Sequence, residues 1–452
     1  MKIDATHSNL HDLQVIVGLG KTGLSCAHWL AAHHFNIAVT DSRDNPPGLT
    51  ELQAQFPLVP VITGHFDTQL CQKASRLIVS PGVSLREPAV AAAIAQGIPA
   101  IGDIELFAKA HTAPVIAITG SNGKSTVTTL VGEMARQAGK EVEVGGNLGT
   151  PALDLLTSKT TELFVLELSS FQLETTYSLK PAAAVILNLS EDHMDRYDSM
   201  TDYLKAKQRI YAGCATTIIN RDDPITWQNL TFEKTLSFGL DEPQEGQFGL
   251  RNVEGNYYLA RGTENLLATS NLKIKGRHQL ANALAALALG EAVSLPMPAM
   301  LEALKNFQGL THRCQWVAHY HGVDWYNDSK ATNVGAAKPA IEGLGADIQG
   351  KLVVIAGGLG KNADFSPLKD TMKKYVRQLI LIGKDAPLMA NALKGSVNIE
   401  QASTMEQAVT LAQQQAQPGD AVILAPACAS FDMFNNFEHR GEVFMSAVRA
   451  LA

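Results

Sequence analysis

The chain has 452 residues, of which 46% are apolar and 18% charged, and its 37 basic and 44 acidic residues give a formal charge of −7. A mildly acidic protein is a poor candidate for nonspecific nucleic-acid binding, which requires a basic surface that neutralises phosphates. The composition is typical of a globular protein, and at about 150 residues per domain the length favours three domains. We therefore expect no nucleic-acid partner.

The N-terminal segment, the longest apolar run and the cysteines bear on where the protein works. The N-terminal segment MKIDATHSNLHDLQ contains no apolar core, so we expect no signal peptide. The apolar run Leu280–Leu289 is about half as long as a bilayer span. The 5 cysteines are scattered and never spaced as CxxC, which argues against a disulfide scaffold or a zinc ribbon. We predict a cytoplasmic protein with no membrane partner.

Short β-branched runs alternate with helix-length segments along the chain. This alternation predicts βα units with parallel strands, grouped in three α/β domains. We expect the boundaries near Gly102 and Gly309, which gives domains of 1–102, 103–309 and 310–452. The predicted strands are Gln14–Val17, Ile37–Thr40 and Leu77–Ser80, then Val115–Thr119, Leu163–Glu167, Ala184–Leu187 and Thr217–Asn220, then Val353–Ala356, Leu379–Ile382 and Ala421–Leu424.

A glycine pattern, GLGKTG at 18–23, follows the first predicted strand, and Asp41 follows the second. Together they form a dinucleotide fingerprint, in which the glycines receive a pyrophosphate and the acid binds a ribose hydroxyl. The chemistry requires only a diphosphate beside a ribose, so a UDP-sugar satisfies it as well as NAD. A purely structural glycine turn is the third interpretation.

A second glycine-rich turn, TGSNGKST at 119–126, lies between a predicted strand and a helical pattern. This order aims backbone N–H groups and the positive helix terminus at phosphate oxygens. Its glycines allow close approach, Lys124 can neutralise the outer phosphates, and the hydroxyls that follow can bind Mg²⁺. The turn is a shortened variant, because Ile118 stands where the full Walker pattern has glycine. We predict ATP here, and two phosphate sites favour ATP plus a nucleotide-linked substrate over a dehydrogenase.

Polar residues follow two central strands. Glu167 ends one of them, and a carboxylate beside a phosphate loop in the same sheet is well placed for Mg²⁺. His193 comes shortly after the next strand. Its imidazole either binds metal or phosphate, or has a structural role.

Lys207 is distinguished by its neighbours in the helical stretch 202–211. The residues three and four positions away are Tyr203, Leu204, Ile210 and Tyr211. Lys207 is therefore expected to face an apolar or interior surface, where desolvation favours the neutral amine. A neutral amine reacts with CO₂ to form a carbamate. Geometry alone favours the alternative in which the stem is buried and the charge reaches water.

The sequence resembles the ATP-dependent Mur ligase family over its whole length. The segments that carry the resemblance are GDIELF (102–107), ITGSNGKSTVTTLVGEM (118–134), LELSSFQLETT (166–176), EDHMDRY (191–197), AKQRIY (206–211), NDSKATN (327–333), PACASFDMF (426–434) and NFEHRG (436–441). The resemblance implies a Rossmann-like N-terminal domain for a UDP-linked substrate. It further implies a central P-loop-type ATPase domain with a mainly parallel sheet and a Rossmann-like C-terminal domain that brings an amino acid.

The resemblance is strongest to the family member that joins D-glutamate to UDP-N-acetylmuramoyl-L-alanine in the cytoplasm. That reaction belongs to peptidoglycan synthesis and cell-wall biogenesis, and so to cell shape, cell division and the cell cycle. The resemblance implies that ATP converts the substrate carboxylate to an acyl phosphate, which the amine of D-glutamate attacks. It also implies two Mg²⁺ ions, ATP as co-substrate and a monomer.

The family motifs assign roles to residues at matching positions. The implied ATP-binding residues are Gly120, Asn122, Gly123, Lys124, Ser125, Thr126, Asn282, Arg313 and Asp328. Those for the UDP-linked substrate are Gly18, Thr22, Asp41, Ser42, Arg43 and Asn147, and those for D-glutamate are Lys330, Thr332, Lys361, Ser430 and Phe437. The implied metal ligands are Ser125, Glu167, His193 and Lys207 as its carbamate, and the implied catalytic residues are Lys124, His193 and Lys207.

Three positions depart from the family pattern. Gln279 replaces Asn, Phe431 replaces Leu, and Leu359 replaces an Asp that bears on the orientation of Lys361. A sibling ligase for L-alanine or a diamino acid is the nearest alternative, although the DNPR string of the diamino-acid enzyme is absent. A folylpolyglutamate synthetase would leave the N-terminal domain without a role. Outside the ligases, a nucleotide-sensing module without turnover and an NAD enzyme are the alternatives.

Overall fold

The strands of the protein form three separate sheets that follow one another along the chain. The computed structural model describes residues 12–158, 160–194, 196–274, 276–361 and 363–451. Every strand predicted from the sequence is present, and its ends agree within one residue except at Val376, where a strand begins three residues before the predicted Leu379. The predicted three-domain α/β organisation is confirmed.

The first sheet is parallel throughout. Its strands are β1 (Leu13–Val17), β2 (Asn36–Thr40), β3 (Val61–Ile62), β4 (Arg76–Val79) and β5 (Ala100–Ile101), in the spatial order β3-β2-β1-β4-β5. The helices are α1 (Lys21–Ala32), α2 (Leu49–Gln55), α3 (Thr68–Gln72), α4 (Pro88–Ala95) and α5 (Asp103–Ala110). Strands β3 and β5 escape prediction because two residues leave no periodic pattern.

The central sheet is mainly parallel, as expected. Its strands are β6 (Val115–Thr119), β7 (Val142–Gly146), β8 (Leu163–Glu167), β9 (Ala183–Ile186), β10 (Thr216–Asn220), β11 (Thr235–Phe238), β12 (Phe248–Val253), β13 (Asn256–Arg261) and β14 (Glu264–Ala268), in the spatial order β14-β13-β12-β11-β10-β9-β6-β8-β7. The helices are α6 (Lys124–Gln137), α7 (Ser170–Glu174), α8 (Met200–Gln208), α9 (Arg277–Ala292) and α10 (Met297–Asn306).

The C-terminal sheet is parallel apart from one edge hairpin. Its strands are β15 (Gln315–Tyr320), β16 (Val323–Asn327), β17 (Leu352–Gly357), β18 (Val376–Ile382), β19 (Asn398–Gln401) and β20 (Ala421–Leu424), in the order β15-β16-β20-β17-β18-β19. The helices are α11 (Val334–Asp347), α12 (Lys369–Tyr375), α13 (Ala386–Ala392), α14 (Met405–Gln415) and α15 (Phe437–Arg449).

The apolar run Leu280–Leu289 lies within α9, most of whose side chains are buried in the core of the central domain. A helix that is apolar on all sides belongs in a core or a membrane. Within the described ranges, no helix has the length and apolar character that crossing a membrane requires. The run is therefore explained by packing.

The N-terminal and central domains share a core. One continuous apolar cluster contains Ile16 of β1 and Ile78 of β4 together with Leu166 of β8 and Ile186 of β9. The C-terminal domain has its own clusters on the two faces of its sheet. The first two domains are thus joined by apolar packing, which fixes how their sites face each other.

An ion pair in the C-terminal domain makes its stability depend on pH. Asp420, 3% exposed, accepts hydrogen bonds from Arg377 Nε (2.6 Å) and from the backbone amides of Lys351 (2.7 Å) and Gln417 (2.9 Å). Burial acts to raise the pKa of Asp420, but these hydrogen bonds lower it below its ordinary value. The stabilisation is complete above the unfolded pKa of about 3.9 and is lost as the pH falls through the lower folded pKa.

We expect Asp420→Asn to lower the free energy of unfolding by about 2–3 kcal/mol at pH 7, because the buried carboxylate loses the charge that strengthens its hydrogen bonds to the partly exposed Arg377 and to two backbone amides. Urea unfolding followed by circular dichroism measures the loss. Exposed Asp370 provides the control Asp370→Asn, which should change little. A wild-type-like midpoint for Asp420→Asn at pH 7, or a difference that grows as the pH falls below 4, would contradict this account.

Candidate functional site

The phosphate loop, residues 119–126, leaves β6 at the carboxyl edge of the central sheet. Strand β6 lies between β8 and β9. After β6 the chain forms β7 and β8 on one side of it and then crosses to form β9 on the other side. Such a switch point opens a crevice in which α/β proteins bind ligands. Glu167 ends β8, and Asn188 follows β9 by two residues. Polar segments that are far apart in the sequence therefore meet at this edge.

Two asparagines pack against the phosphate loop. Asn188 Oδ1 accepts a hydrogen bond from the backbone amide of Asn122 (2.8 Å), and its Nδ2 donates to the Asn122 carbonyl (3.1 Å). Gly123 has φ +82°, and a Cβ there would collide with the amide oxygen of Asn282. Asn282 donates to Gln279 Oε1 (3.2 Å), so the glutamine that departs from the family pattern still supplies an acceptor. The predicted ATP contact Asn282 thus lies at the loop.

Two lysines converge on the carbonyl oxygen of Gly120. Lys124 Nζ and Lys207 Nζ each donate to it at 2.9 Å. Burial lowers the pKa of Lys124. Burial and the charge of Lys124 together lower the pKa of Lys207 well below its ordinary value. Lys207 is 1% exposed, so its inward orientation is confirmed and its charge does not reach water.

The carboxylate of Glu167 is buried at the end of β8. Its Oε1 accepts a hydrogen bond from Asn147 Nδ2 (2.6 Å), while its Oε2 has no hydrogen-bond partner among the described residues. Its charge acts to raise the pKa values of Lys124, Lys207 and Arg313. A buried carboxylate oxygen without a donor is satisfied by a cation. This oxygen fits the Mg²⁺ that the sequence implies.

The rest of the predicted metal set is poor in anionic ligands. In the described part of the chain, no three His, Cys, Asp or Glu side chains cluster closely enough to hold a metal ion. Ser125 Oγ accepts a hydrogen bond from Arg313 Nη2 (2.8 Å). Mg²⁺ takes few protein ligands and completes its shell with water and substrate phosphates. The side chains present therefore suit a metal that arrives with a nucleotide.

His193 lies in the loop after β9 with the backbone in the left-handed region, at φ +59°. Its ring packs edge-on against Phe171, with 4.8 Å between centroids, and its Nε2 lies 3.6 Å from Asp192 Oδ2. Burial lowers the pKa of His193; the charge of Asp192 opposes this shift and that of Lys361 adds to it. Lys361 belongs to the C-terminal sheet region, so the two domains face each other across this histidine.

Arg313, which follows the central domain, reaches back to the phosphate loop through its hydrogen bond to Ser125. Burial raises the pKa of Asp328 to about 6 against the opposing effects of the Cys314 amide hydrogen bond and the Arg313 charge. Burial and the charge of Arg313 lower the pKa of Lys330 to about 8. The segment 327–333 therefore lies close to Arg313 and, through it, to the phosphate loop.

The Lys361 loop lies beside Ser430. The backbone groups of Leu359 and Ala429 exchange two hydrogen bonds of 2.9 Å, which join the loop after β17 to the loop after β20. Ser430 is 2% exposed, while Lys361 is exposed at φ +52°. Because Leu359 makes this pairing through its backbone, the loop follows this path without the usual aspartate.

Lys330 Nζ lies 3.8 Å from the ring centre of Phe437, a cation–π distance. The Thr332 amide donates to the Lys330 carbonyl at 2.7 Å. Phe431, where the family pattern has leucine, is 69% exposed. Lys330, Thr332 and Phe437, which are predicted to bind the amino acid, therefore lie on two adjoining segments, 330–332 and the start of α15.

Arg440 of α15 supports these segments and was not singled out from the sequence. Its guanidinium is fully buried and donates to Ser329 Oγ (2.9 Å), to the Ser329 carbonyl (2.7 Å) and to the Cys428 carbonyl (3.0 Å). The Ser329 hydroxyl donates in turn to the Phe437 carbonyl (2.8 Å). The only sequence signal is a cation inside the string NFEHRG, which does not reveal burial.

The residues predicted for the UDP end lie at the carboxyl edge of the N-terminal sheet. Asp41 is buried, and its oxygens accept hydrogen bonds from the Leu19 amide (2.6 Å) and from Arg43 Nε (2.9 Å) and Nη2 (2.7 Å). Burial acts to raise the pKa of Asp41, and these hydrogen bonds lower it. A ribose hydroxyl bound here would donate to Asp41 oxygens that already accept hydrogen bonds from Leu19 and Arg43. The remaining members of this set at the same edge are Gly18, Thr22 and Ser42.

Asn147 comes from the central domain but lies near this edge. Lys21 Nζ, in the first turn of α1, donates to the Gly149 carbonyl at 2.7 Å. Asn147 is two residues earlier in the same loop and holds Glu167. The loop therefore connects the glycine turn of the first domain with the carboxylate of the second.

Comparisons with known proteins match all three domains. Three family models match successive parts of the chain: the Mur ligase MurD-like N-terminal domain over 12–102, the Mur ligase middle domain over 118–290, and the Mur ligase glutamate ligase domain over 312–428. UDP-N-acetylmuramoylalanine--D-glutamate ligases of Coxiella burnetii and Pseudomonas aeruginosa are each 54% identical to 97% of this chain, over 99% and 98% of their own lengths.

Solved structures share the fold at low identity. A pseudomurein peptide ligase type C from Methanothermus fervidus aligns with a TM-score of 0.63 at 16% identity, covering 98% of this chain and 100% of its own. A MurF ligase from Thermotoga maritima, solved in complex with ADP, gives a TM-score of 0.62 at 16% identity and 100% coverage of both chains.

The fold and the phosphate edge define a three-domain ATP-dependent ligase, in which the middle domain contacts the N-terminal domain through Gly149 and the C-terminal domain through Ser125 of the phosphate loop. The family models and the relatives all belong to one family of such ligases. The chain belongs to the Mur ligase family.

Proposed function

We propose that this protein uses ATP to join D-glutamate to UDP-N-acetylmuramoyl-L-alanine, a step of peptidoglycan precursor synthesis in the cytoplasm. The observation that carries the proposal is the meeting of Lys124, Glu167 and Arg313 at one crevice, reached from both outer domains. The choice of D-glutamate is supported by the relatives at 54% identity, which are UDP-N-acetylmuramoylalanine--D-glutamate ligases.

The crevice is suited to activating a carboxylate. A carboxylate is a poor electrophile until one of its oxygens is converted to a good leaving group. The phosphate loop holds ATP through backbone amides at the start of α6, and Lys124 neutralises charge on the transferred phosphate. An oxygen of the acceptor carboxylate attacks the γ-phosphorus of ATP, the bond to the bridging oxygen breaks, and ADP leaves, which gives an acyl phosphate. The neutral amine of D-glutamate then attacks the carbonyl carbon, phosphate leaves with the electrons of the C–O bond, and the nitrogen loses a proton to solvent.

Mg²⁺, for which we propose two ions, would be held by Ser125, Glu167, His193 and a carbamate on Lys207, and it supplies charge neutralisation for the phosphates. The unpartnered Oε2 of Glu167 supports this assignment. Asn147 orients the same carboxylate through its hydrogen bond to Oε1. Neutral His193 keeps a nitrogen lone pair available, as a metal ligand must.

Lys207 supports the carbamate assignment by its burial and its lowered pKa. The lone pair of its neutral Nζ attacks the carbon of CO₂, a new N–C bond forms, and one proton leaves. The product carries a negative charge where an ammonium would repel Lys124. We therefore propose that the carbamate, rather than the free lysine, faces the phosphate loop.

D-Glutamate brings two carboxylates and needs cations and donors. We assign these to Lys361, Ser430, Lys330 and Thr332, with Phe437 beside them. The neighbouring loops that carry Lys361 and Ser430 support the assignment. The UDP end is assigned to the edge near Asp41 and Arg43. We keep the domain boundaries at Gly102 and Gly309, and we propose a monomer, because one chain supplies every part of the site.

A coupled phosphate-release assay tests the function. The protein is supplied with ATP, Mg²⁺ and UDP-N-acetylmuramoyl-L-alanine, and the amino acid is varied among D-glutamate, L-glutamate, L-alanine and a diamino acid. Release that depends on D-glutamate supports the proposal, and EDTA should abolish it. Release with another amino acid indicates a sibling ligase, whereas ATP binding without release indicates a nucleotide sensor.

Lys361→Ala should raise the KM for D-glutamate about tenfold to a hundredfold, because one carboxylate loses a charge-assisted contact. The KM for ATP should change less than about twofold, because the phosphate loop is on another domain. Initial rates at varied D-glutamate and varied ATP measure both. Lys369→Ala removes an exposed lysine of α12 and is the matched control. Unchanged D-glutamate kinetics in Lys361→Ala would refute the assignment.

A further inference from the structure

Arg196 connects the first two domains at a point between their sites. Its Nη2 donates to the Val83 carbonyl (3.1 Å) and to Glu174 Oε2 (2.9 Å), and its Nη1 lies 3.3 Å from the Pro81 carbonyl. Its side chain is 14% exposed and that of Glu174 is 19% exposed. Pro81 and Val83 belong to the N-terminal domain, while Glu174 ends α7 of the central domain.

On the N-terminal side, the segment held by Arg196 packs against the glycine turn. A Cβ at Gly18 would lie 2.9 Å from Val83 Cγ2, and the Ser80 hydroxyl donates to the Gly18 carbonyl at 2.7 Å. The segment 80–83 follows β4 at the same edge as Asp41. A displacement of segment 80–83 would therefore displace the glycine turn that we assign to the UDP end.

On the central side, Arg196 is joined to His193 in two ways. Its amide donates to the His193 carbonyl at 2.9 Å, which closes the turn that holds His193 in its left-handed conformation. Its guanidinium carbon lies 4.5 Å from the ring centre of Phe171, and that ring packs against the imidazole of His193. The position of His193 is thus tied to the guanidinium.

We propose that Arg196 is a positioning residue that sets the spacing between the UDP pocket of the first domain and His193 at the reacting end. The inference rests on the proposed function, in which one acceptor molecule spans both places. A planar guanidinium donates in several fixed directions, so it can hold two backbone carbonyls and a carboxylate at once. A lysine at this position would hold fewer of them.

An exposed ion pair also connects the two domains and provides a matched control. Arg86 binds Asp198 through two hydrogen bonds of 2.8 and 2.7 Å, but the side chains are 67% and 69% exposed. Exposed pairs contribute little, because water and salt screen them. Arg86→Met thus removes a contact between the domains without touching the glycine turn or Phe171.

The test is calorimetric titration of Arg196→Met, Arg196→Lys and Arg86→Met with UDP-N-acetylmuramoyl-L-alanine and, separately, with a nonhydrolysable ATP analogue. We expect Arg196→Met to raise the Kd of the acceptor at least tenfold and that of the ATP analogue less than twofold. Arg196→Lys should recover part of this loss, and Arg86→Met should match the wild type.

An acceptor Kd within twofold of wild type in folded Arg196→Met overturns the proposal, as does an equal loss for both ligands or an equal loss in Arg86→Met. Circular dichroism checks folding, and if the methionine variant unfolds, Arg196→Lys is judged by the same selective loss. Failure of the proposed function is distinguishable, since wild type would then release no phosphate from ATP in the presence of the acceptor and D-glutamate.

Discussion

Lys124→Ala is expected to abolish ligation, with kcat lowered by about a thousandfold or more. Lys124 begins α6 and folds back over the phosphate loop, donating to the carbonyls of Gly120 and Ser121 at 2.9 Å. These carbonyls are uncharged acceptors. Bound phosphate oxygens are stronger acceptors, because they carry charge. Removing the ammonium therefore removes the group that neutralises charge on the transferred phosphate.

The measurement is phosphate release at saturating substrates, with ATP binding measured separately. Lys140→Ala is the matched control, because Lys140 is an exposed lysine whose ion pair with Glu162 lies on the surface beyond α6. It should retain wild-type turnover. If Lys124→Ala kept even a tenth of the wild-type kcat while folded, the assigned role would be wrong.

Much of the fold follows from the sequence because buried parallel strands are short, continuous apolar runs. Strands such as β6 and β8 are buried at every position and are predicted at their observed bounds. The antiparallel strands β12–β14 are not predicted, because their burial varies along each strand. Such half-exposed strands show no continuous apolar run, and a search for buried runs passes over them.

The candidate site is predictable where a motif states its own chemistry. The phosphate loop does so through glycine, lysine and hydroxyl in fixed order, whereas the apolar neighbours of Lys207 predict only its inward orientation. Long-range pairing is not visible in this way. The contact between Arg313 and Ser125 joins residues 188 positions apart.

Two arginines, one buried and one partly buried, are the clearest omission. Arg440 is fully buried, and Arg196 bridges two domains, yet in the sequence each is one cation among polar neighbours. Their importance comes from backbone carbonyls that the fold brings to them. A sequence pattern records side chains and therefore misses a site built from carbonyls of distant loops.

Lys207→Ala is expected to lose nearly all ligase activity, about a hundredfold or more, and to regain part of it when acetate or formate is added. The alanine variant opens a space beside Gly120 that a small carboxylate can enter, where it supplies the oxygens that we assign to the carbamate. The unmodified amine of Lys207 has no oxygens, and it acts only as a hydrogen-bond donor to the Gly120 carbonyl at 2.9 Å.

Lys205→Ala is the matched control, two residues earlier on the exposed face of α8. It should retain activity and respond to neither anion. Chloride at equal ionic strength separates a carboxylate effect from a salt effect. If Lys207 only filled space, added anions would not restore the activity of Lys207→Ala. Rescue by carboxylates but not by chloride therefore distinguishes a carbamate role from a space-filling role. Full activity in Lys207→Ala, or equal rescue by chloride, would show that no carbamate is needed beside the phosphate loop.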